Sequence, residues 1–190
     1  MNGNLAYQME LREELIGGQV VMMAAPTSNH NRTTGNLHTL LDLFLDGRPC
    51  EPFGDHEALF LEEDAEEYQP DMMVVCDPGK VRNRGVFGAP DLVAEVLSPS
   101  TERYDRGHKK DMYEKHGVRE YWIVDPERRS VEQYVLENGR FLLRDVYRQY
   151  TAAERAELDE RERAAAETEF RCAVFPDLVV PLERVFRRVV

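Results

Sequence analysis

The sequence predicts an α/β (α+β) protein, and three neighbouring stretches carry that prediction. Residues 92–97 (LVAEVL) are an apolar run interrupted only by Glu95, the pattern of a strand covered on both faces. Residues 104–116 place Lys109, Met112, Tyr113 and His116 at i, i+3, i+4 and i+7, which is one face of a helix. Residues 120–124 (EYWIV) form a second buried strand, closed by Asp125-Pro126. The stretch 89–125 therefore reads as strand, polar loop, helix and strand.

The rest of the chain follows in order. Residues 15–23 are two apolar runs around Gly17-Gly18, an N-terminal β-hairpin in which Glu14 starts the first strand and shares a face with Ile16. Ser28 or Asn29 can cap a helix that carries Leu37, Leu40, Leu41, Phe44 and Leu45 inward and ends at Gly47 and Pro49. His30 lies in its first turn on the same face; there a structural histidine is the plainer alternative to a ligand. Residues 52–55 read as a turn, 57–61 as a strand and 62–67 as an acidic, solvated loop. A further strand follows Pro70-Asp71, and 80–88 read as a basic, glycine-containing loop. Residues 130–136 and 141–147 flank Asn138-Gly139 as a second hairpin. Thr151 and Glu154 form a capping box that opens a helix to about residue 167, poor in large apolar residues. An apolar segment at 170–180 and a short helix from Pro181 end the chain. With no internal repeat or linker, residues 1–190 are expected to be one domain, with 151–167 a helical insertion.

Composition narrows the functions. The net charge of −12, from 36 acidic and 24 basic residues, argues against a broad basic surface for nucleic acid or anionic lipid, though not against a local basic groove. Three cysteines without zinc-ligand or CxxC spacing suggest reduced thiols in a cytoplasmic protein. The first residues lack a signal-peptide pattern, and no apolar run is long enough to span a membrane, so no membrane partner is expected.

An ionised Glu95 inside a buried strand costs several kcal/mol unless its charge is compensated. If the strand after Asp71 pairs antiparallel with the Glu95 strand, Asp71 and Glu95 become neighbours at one end of the sheet. Lys109 is directed there from the helix. Two carboxylates so placed repel unless they share a proton or a cation. Such a group suits phosphodiester hydrolysis: Asp71 and Glu95 as ligands of Mg²⁺ (or Mn²⁺), Lys109 orienting water or stabilising charge, with Glu14 and the candidate accessory His30 adding a ligand or proton-transfer group. The plain alternatives are Asp71 as turn chemistry and Glu95–Lys109 as a buried ion pair joining strand to helix. Lys80, Arg82, Arg84, Arg103, Arg106 and Lys110 are either a local phosphate-binding rim or solvated charges.

The segments ELIGGQVVMMAAPTSNHN, QPDMMVVCDP, EVLSPSTERYDRGHKKDMYEKHGVREYWIVDP and the terminal PDLVVPLERVF resemble the Uma-two family of restriction-endonuclease-like proteins, within the PD-(D/E)XK nuclease superfamily. The resemblance runs from about residue 14 to 134. It implies a mixed central β-sheet flanked by helices, a Mg²⁺-dependent endonuclease acting on nucleic acid, DNA first, and a homodimer. By it Asp71 is the aspartate of the PD motif, Glu95 the acidic residue of (D/E)xK, Lys109 the helix lysine and Glu14 the glutamate of the N-terminal segment. Leu97 stands where the superfamily motif has its lysine, and Gly17 where the family often has aspartate. A non-catalytic assembly module and a hydrolase of another phosphate compound remain the alternatives.

Overall fold

The computed structural model describes residues 13–190; the N-terminal stretch read above as lacking a signal segment lies outside them. Strands β1 (Glu13–Ile16) and β2 (Gln19–Met22) form the expected hairpin, turning at Gly17-Gly18. Helix α1 (Ser28–Leu45) follows, capped not by Ser28 or Asn29 but by Thr27, whose side chain accepts from the His30 amide. Then come β3 (Glu51–Gly54), β4 (Leu59–Glu62), β5 (Glu66–Tyr68), β6 (Met72–Val75), β7 (Val81–Arg82), β8 (Gly85–Phe87) and β9 (Leu92–Val96). Helices α2 (Glu102–Arg106) and α3 (His108–His116) lead into β10 (Glu120–Asp125) and the hairpin of β11 (Ser130–Glu137) and β12 (Arg140–Arg148). The chain closes with α4 (Ala152–Glu157), α5 (Glu160–Ala165), β13 (Glu169–Arg171), β14 (Val179–Pro181) and α6 (Leu182–Val185).

Among the described residues these strands form two mixed six-stranded sheets, β2-β1-β5-β4-β8-β7 and β12-β11-β10-β9-β6-β3, and a small β13-β14 ribbon. In the second sheet β9 and β10 run parallel, as a strand–helix–strand crossover requires, while β6 is antiparallel to β9. Both of its faces are covered. On one, Leu37, Leu41 and Leu45 of α1 and the C-terminal Phe170, Val180 and Leu182 pack on Met72, Val74, Ala94 and Trp122. On the other, Ile16, Leu59 and Val86 of the first sheet and Met112 and Tyr113 of α3 pack on Met73, Val75, Val93 and Tyr121. This two-sided burial is what the continuous apolar runs of β9 and β10 encode.

Several expectations change. The turn at 52–55 is strand β3, and the acidic loop at 62–67 contains the start of β5, in which Glu66 and Tyr68 are buried. The loop at 80–88 holds the β7–β8 hairpin. These strands have two to four residues, too few for alternation to show, and pairing with neighbours decides their conformation. The single helix at 104–116 is two, broken at Gly107. The helix at 151–167 is also two, because Asp159 and Glu162 form a second capping box beyond that of Thr151 and Glu154. The three expected thiols are a Cys50–Cys76 disulfide and a buried free Cys172. Cys50 and Cys76 flank the Glu51↔Val75 pair of β3 and β6, which sets their Cα atoms 3.9 Å apart. Among the described residues no helix is long and apolar enough to cross a membrane.

The C-terminal ribbon is tied to the second sheet through Glu120. Its fully buried carboxylate accepts from Trp122 Nε1 (2.7 Å), Gln133 Nε2 (2.6 Å), Cys172 Sγ (3.0 Å) and the Val174 amide (2.8 Å). Glu120→Ala strands these donors in the core and is expected to cost about 2–4 kcal/mol. Urea unfolding followed by Trp122 emission measures this; a loss under about 0.5 kcal/mol, as for an ordinary surface change, contradicts the anchoring role.

Candidate active site

Pairing of β6 with β9 sets Met72 opposite Ala94, so Asp71 and Glu95 stand abreast at the end of that pair. The Asp71 amide donates to Glu95 Oε2 at 3.2 Å, and the Val96 amide donates to Asp71 Oδ2 at 2.8 Å. Alternation along β9 turns Glu95 to the face of Val93 and Leu97, toward the first sheet and α3. From the first sheet comes Glu14, buried on β1 and held by the Gln69 amide (2.8 Å). From α3 comes Lys109, whose Nζ lies 2.9 Å from Glu14 Oε1 and 3.1 Å from Glu95 Oε1. From α1 comes His30, with Nε2 3.2 Å from Asp71 Oδ2. The structure thus brings together Glu14, His30, Asp71, Glu95 and Lys109. They line a small cleft with room for water-sized ligands.

Two members of the cluster were not anticipated. Asp105 is 2 % exposed; its Oδ1 sits 3.6 Å from Lys109 Nζ and has no hydrogen-bond partner among the described residues. Its sequence signal was the i, i+4 spacing to Lys109. Tyr113, expected only as packing, donates its hydroxyl to Glu95 Oε1 at 2.7 Å. The helix breaks between Asp105 and Lys109 at Gly107, where a Cβ would meet the Arg103 carbonyl oxygen at 2.9 Å. Beside the cleft, Glu66 accepts from the Tyr68 hydroxyl and the Gly17 amide and lies 2.9 Å from His108 Nε2, which ties the β1–β5 side to the start of α3. Tyr68 in turn sets its ring 5.4 Å from Lys109 Nζ.

Burial pushes the Glu95 carboxyl up to about 8; Lys109 opposes this, while Asp105, Asp71 and Glu14 add to it. Burial likewise raises Asp105 to about 6 against the pull of Lys109. Burial works to lower Lys109, yet the carboxylates of Glu95, Glu14 and Asp105 hold it well above the ordinary lysine value. The lysine is an ammonium.

Four buried acidic side chains thus face one lysine and one histidine, and the raised Glu95 and Asp105 show that they do not all ionise readily without a further positive charge. Adjacent Asp71 and Glu95 with an orphaned Asp105 oxygen fit a hard divalent cation held by two protein carboxylates, the rest of its shell being water. Among the described residues no three His, Cys, Asp or Glu side chains form a ready metal cage.

The basic candidates separate. Arg106 is neutralised by Glu102 (2.8 Å) and Glu132 (2.6 Å). Lys80 Nζ donates to the Ala89 carbonyl (2.7 Å). Lys110 lies over the Tyr134 ring and Arg103 over Tyr104. Arg82 and Arg84 sit on the β7–β8 hairpin.

Comparison with known proteins gives a family and a fold. The profile of the Uma2 family, described as "Putative restriction endonuclease", matches residues 5–166. Two uncharacterized proteins of Synechocystis sp. are similar. One, slr1290, is 33 % identical over 150 residues, 77 % of this chain and 76 % of that protein. The other, sll1609, is 32 % identical over 126 residues, 65 % of this chain and 71 % of that protein. Among solved structures, a putative nuclease belonging to DUF820 from Anabaena variabilis has the same fold, with a TM-score of 0.70 at 16 % identity over 95 % of this chain and 93 % of that one.

If the cluster is one coupled unit, its members will not act additively. Lys109→Met leaves the buried carboxylates without their counter-charge and is expected to destabilise by about 3–5 kcal/mol. The double variant Lys109→Met/Glu95→Gln is expected to regain at least about 1 kcal/mol relative to the sum of the single changes. Denaturant unfolding of the four proteins measures the coupling, and strict additivity contradicts it.

Proposed function

This chain belongs to the Uma2 family of putative restriction endonucleases, and from that premise we propose that it is a metal-dependent nuclease that hydrolyses phosphodiester bonds of nucleic acid, DNA first. The observation that carries the reading is Asp71 and Glu95 standing abreast on adjacent strands with the Lys109 ammonium on Glu95. Asp71 and Glu95 would hold Mg²⁺ or Mn²⁺. Such a cation, when bound, neutralises charge on the phosphate oxygens and favours ionisation of water.

The chain's own residues then have distinct tasks. His30 and the Val96 amide hold Asp71 Oδ2, and Tyr113 holds Glu95 Oε1, so both carboxylates meet a cation in fixed orientations. Glu14 and Asp105 flank Lys109 and steer its ammonium into the cleft. There it can donate to a phosphate oxygen as charge builds on it. Ser98 and Thr101 complete the wall at the end of β9. Residues 13–190 would act as one domain.

A second copy of the chain is the protein partner we favour. Strand β12 is the edge of its sheet, and Leu142, Leu143 and Val146 on it are 48 %, 49 % and 48 % exposed. An edge of this kind invites pairing. Leu142, Leu143 and Val146, on either side of the bulge at Arg144, would offer that copy an apolar patch. Sedimentation is expected to give a dimer for the parent and a monomer for Val146→Lys; a monomeric parent ends this part of the proposal.

The metal reading is tested without guessing a substrate. Calorimetric titration of Mn²⁺ is expected to show binding to the parent and none to Glu95→Gln or Asp71→Asn. Lys109→Gln, checked as folded by Trp122 emission, should keep the isotherm and lose DNA cleavage by about 100-fold or more. A titration without heat in the presence and absence of DNA would remove the metal from the proposal and leave an assembly module as the better reading.

A further inference from the structure

Phe60 is 6 % exposed yet belongs to neither core. Its neighbours Leu59 and Leu61 point between the sheets, so alternation puts Phe60 on the outer face of the first sheet. There its ring stacks on Phe87 of β8, with centroids 4.5 Å apart and planes 13° from parallel. The inner ring faces cover each other, and each ring also carries a guanidinium. Arg82 lies 4.4 Å from the Phe87 centroid, and Arg84 lies 5.1 Å from that of Phe60. What covers these phenylalanines is a pair of arginines.

Several other arginines in this acidic chain are neutralised. Arg48, Arg106, Arg119, Arg140, Arg144 and Arg148 each pair with a carboxylate. Among the described residues neither Arg82 nor Arg84 makes an ion pair. The carboxylate of Glu67, opposite Phe60 on β5, instead accepts from the Asp64 amide. A guanidinium held over a ring can still offer N–H groups to an anion, and the ring limits the freedom lost on binding.

Strand register fixes where this pair stands. Leu15 pairs with Glu67, Tyr68 with Leu59, Leu59 with Val86, and Gly85 with Arg82. Glu14 is therefore level with Tyr68, Leu59 and Val86, and one step further toward the same end lie Gln69, Ala58, Gly85 and Arg82. The hairpin tip leaves the sheet at the end where Glu14 and Gln69 line the cleft. Gly85 secures the tip: its φ is +139°, and a Cβ would come 2.2 Å from the Ala58 carbonyl oxygen. From β1 across β5, β4 and β8 to β7 is about 19 Å at strand spacing.

We propose that the β7–β8 hairpin is a backbone clamp, in which Arg82 and Arg84 grip phosphates of the nucleic acid about five or six nucleotides from the bond held in the cleft. The clamp rests on the nuclease reading and adds to it a substrate long enough to reach both points. A contact to phosphates alone carries no base preference, so its part is affinity and placement, not sequence choice.

The test is fluorescence anisotropy with a labelled duplex of about 20 base pairs, across a salt series and without divalent metal, so that nothing is cleaved. Relative to the parent, Arg82→Gln/Arg84→Gln is expected to lower the slope of log affinity against log salt by about two. Arg82→Lys/Arg84→Lys should keep most of that slope. A duplex too short to span ~19 Å should be bound alike by parent and variant. If the Gln variant keeps the parent's slope on the long duplex, the clamp is overturned while the nuclease reading stands. If the parent binds no nucleic acid, the clamp and the nucleic-acid substrate fall together, and the Mn²⁺ titration at Glu95 then decides the metal separately.

Discussion

The ammonium of Lys109 is the interaction on which the cleft depends. It lies among Glu14, Glu95 and Asp105, contributed by the first sheet, the second sheet and α2, with Lys109 itself on α3. Each of these side chains is nearly inaccessible to water. Desolvating so many charges costs several kcal/mol per ion, more than their attraction reliably returns. A protein needing only to join two sheets and a helix would do as well with leucines. The arrangement is therefore poor as a fastening, and that leaves room for the proposed role as a cation site.

Burial explains which parts could be read from residues alone. The apolar runs of β9 and β10 are long and uninterrupted, so a polar intrusion such as Glu95 stood out at once, and α3 showed its inward face through Met112 and Tyr113. The antiparallel partner of β9 followed from one assumption about pairing, which put Asp71 next to Glu95. What stayed hidden depends on contacts between distant segments. Glu66 looked like one more acid in an acidic loop until His108, 42 residues away, met it. Cys50 and Cys76 carry no spacing signal because their proximity comes from the β3–β6 register. Asp105 was legible in principle, four residues before Lys109 and so on the same helix face, but it stood among charged neighbours that read as a solvated surface.

An excess of twelve negative charges works against the polyanionic substrate proposed above. Two features reduce the conflict. Long-range repulsion between exposed charges is screened beyond about 8–10 Å at ordinary ionic strength, so local arrangement outweighs the sum. Locally, Glu102 and Glu132 are occupied by Arg106, Glu114 by Arg140, and Glu62 by Lys115 and His116. Arginines left without a carboxylate then count for more than their number suggests.

The position of the lysine follows from the same packing. Leu97, two residues after Glu95, shares its face and is packed in the core between the sheets with Val93 and Tyr121. A lysine there would carry its charge on a rigid strand and take an apolar position from that core. Placing the ammonium on α3 leaves Leu97 to pack and lets the charge enter from the side, over the Tyr68 ring. Its aim then depends on how the helix is seated, and three contacts seat it. Tyr113 is fixed on Glu95, the Tyr121 hydroxyl donates to the Asp105 carbonyl at 2.9 Å, and His108 lies on Glu66. The polar groups around α2 and α3 thus supply the rigidity that a strand would have given for nothing, which is why a helix lysine comes with more buried hydrogen bonds than a strand lysine needs.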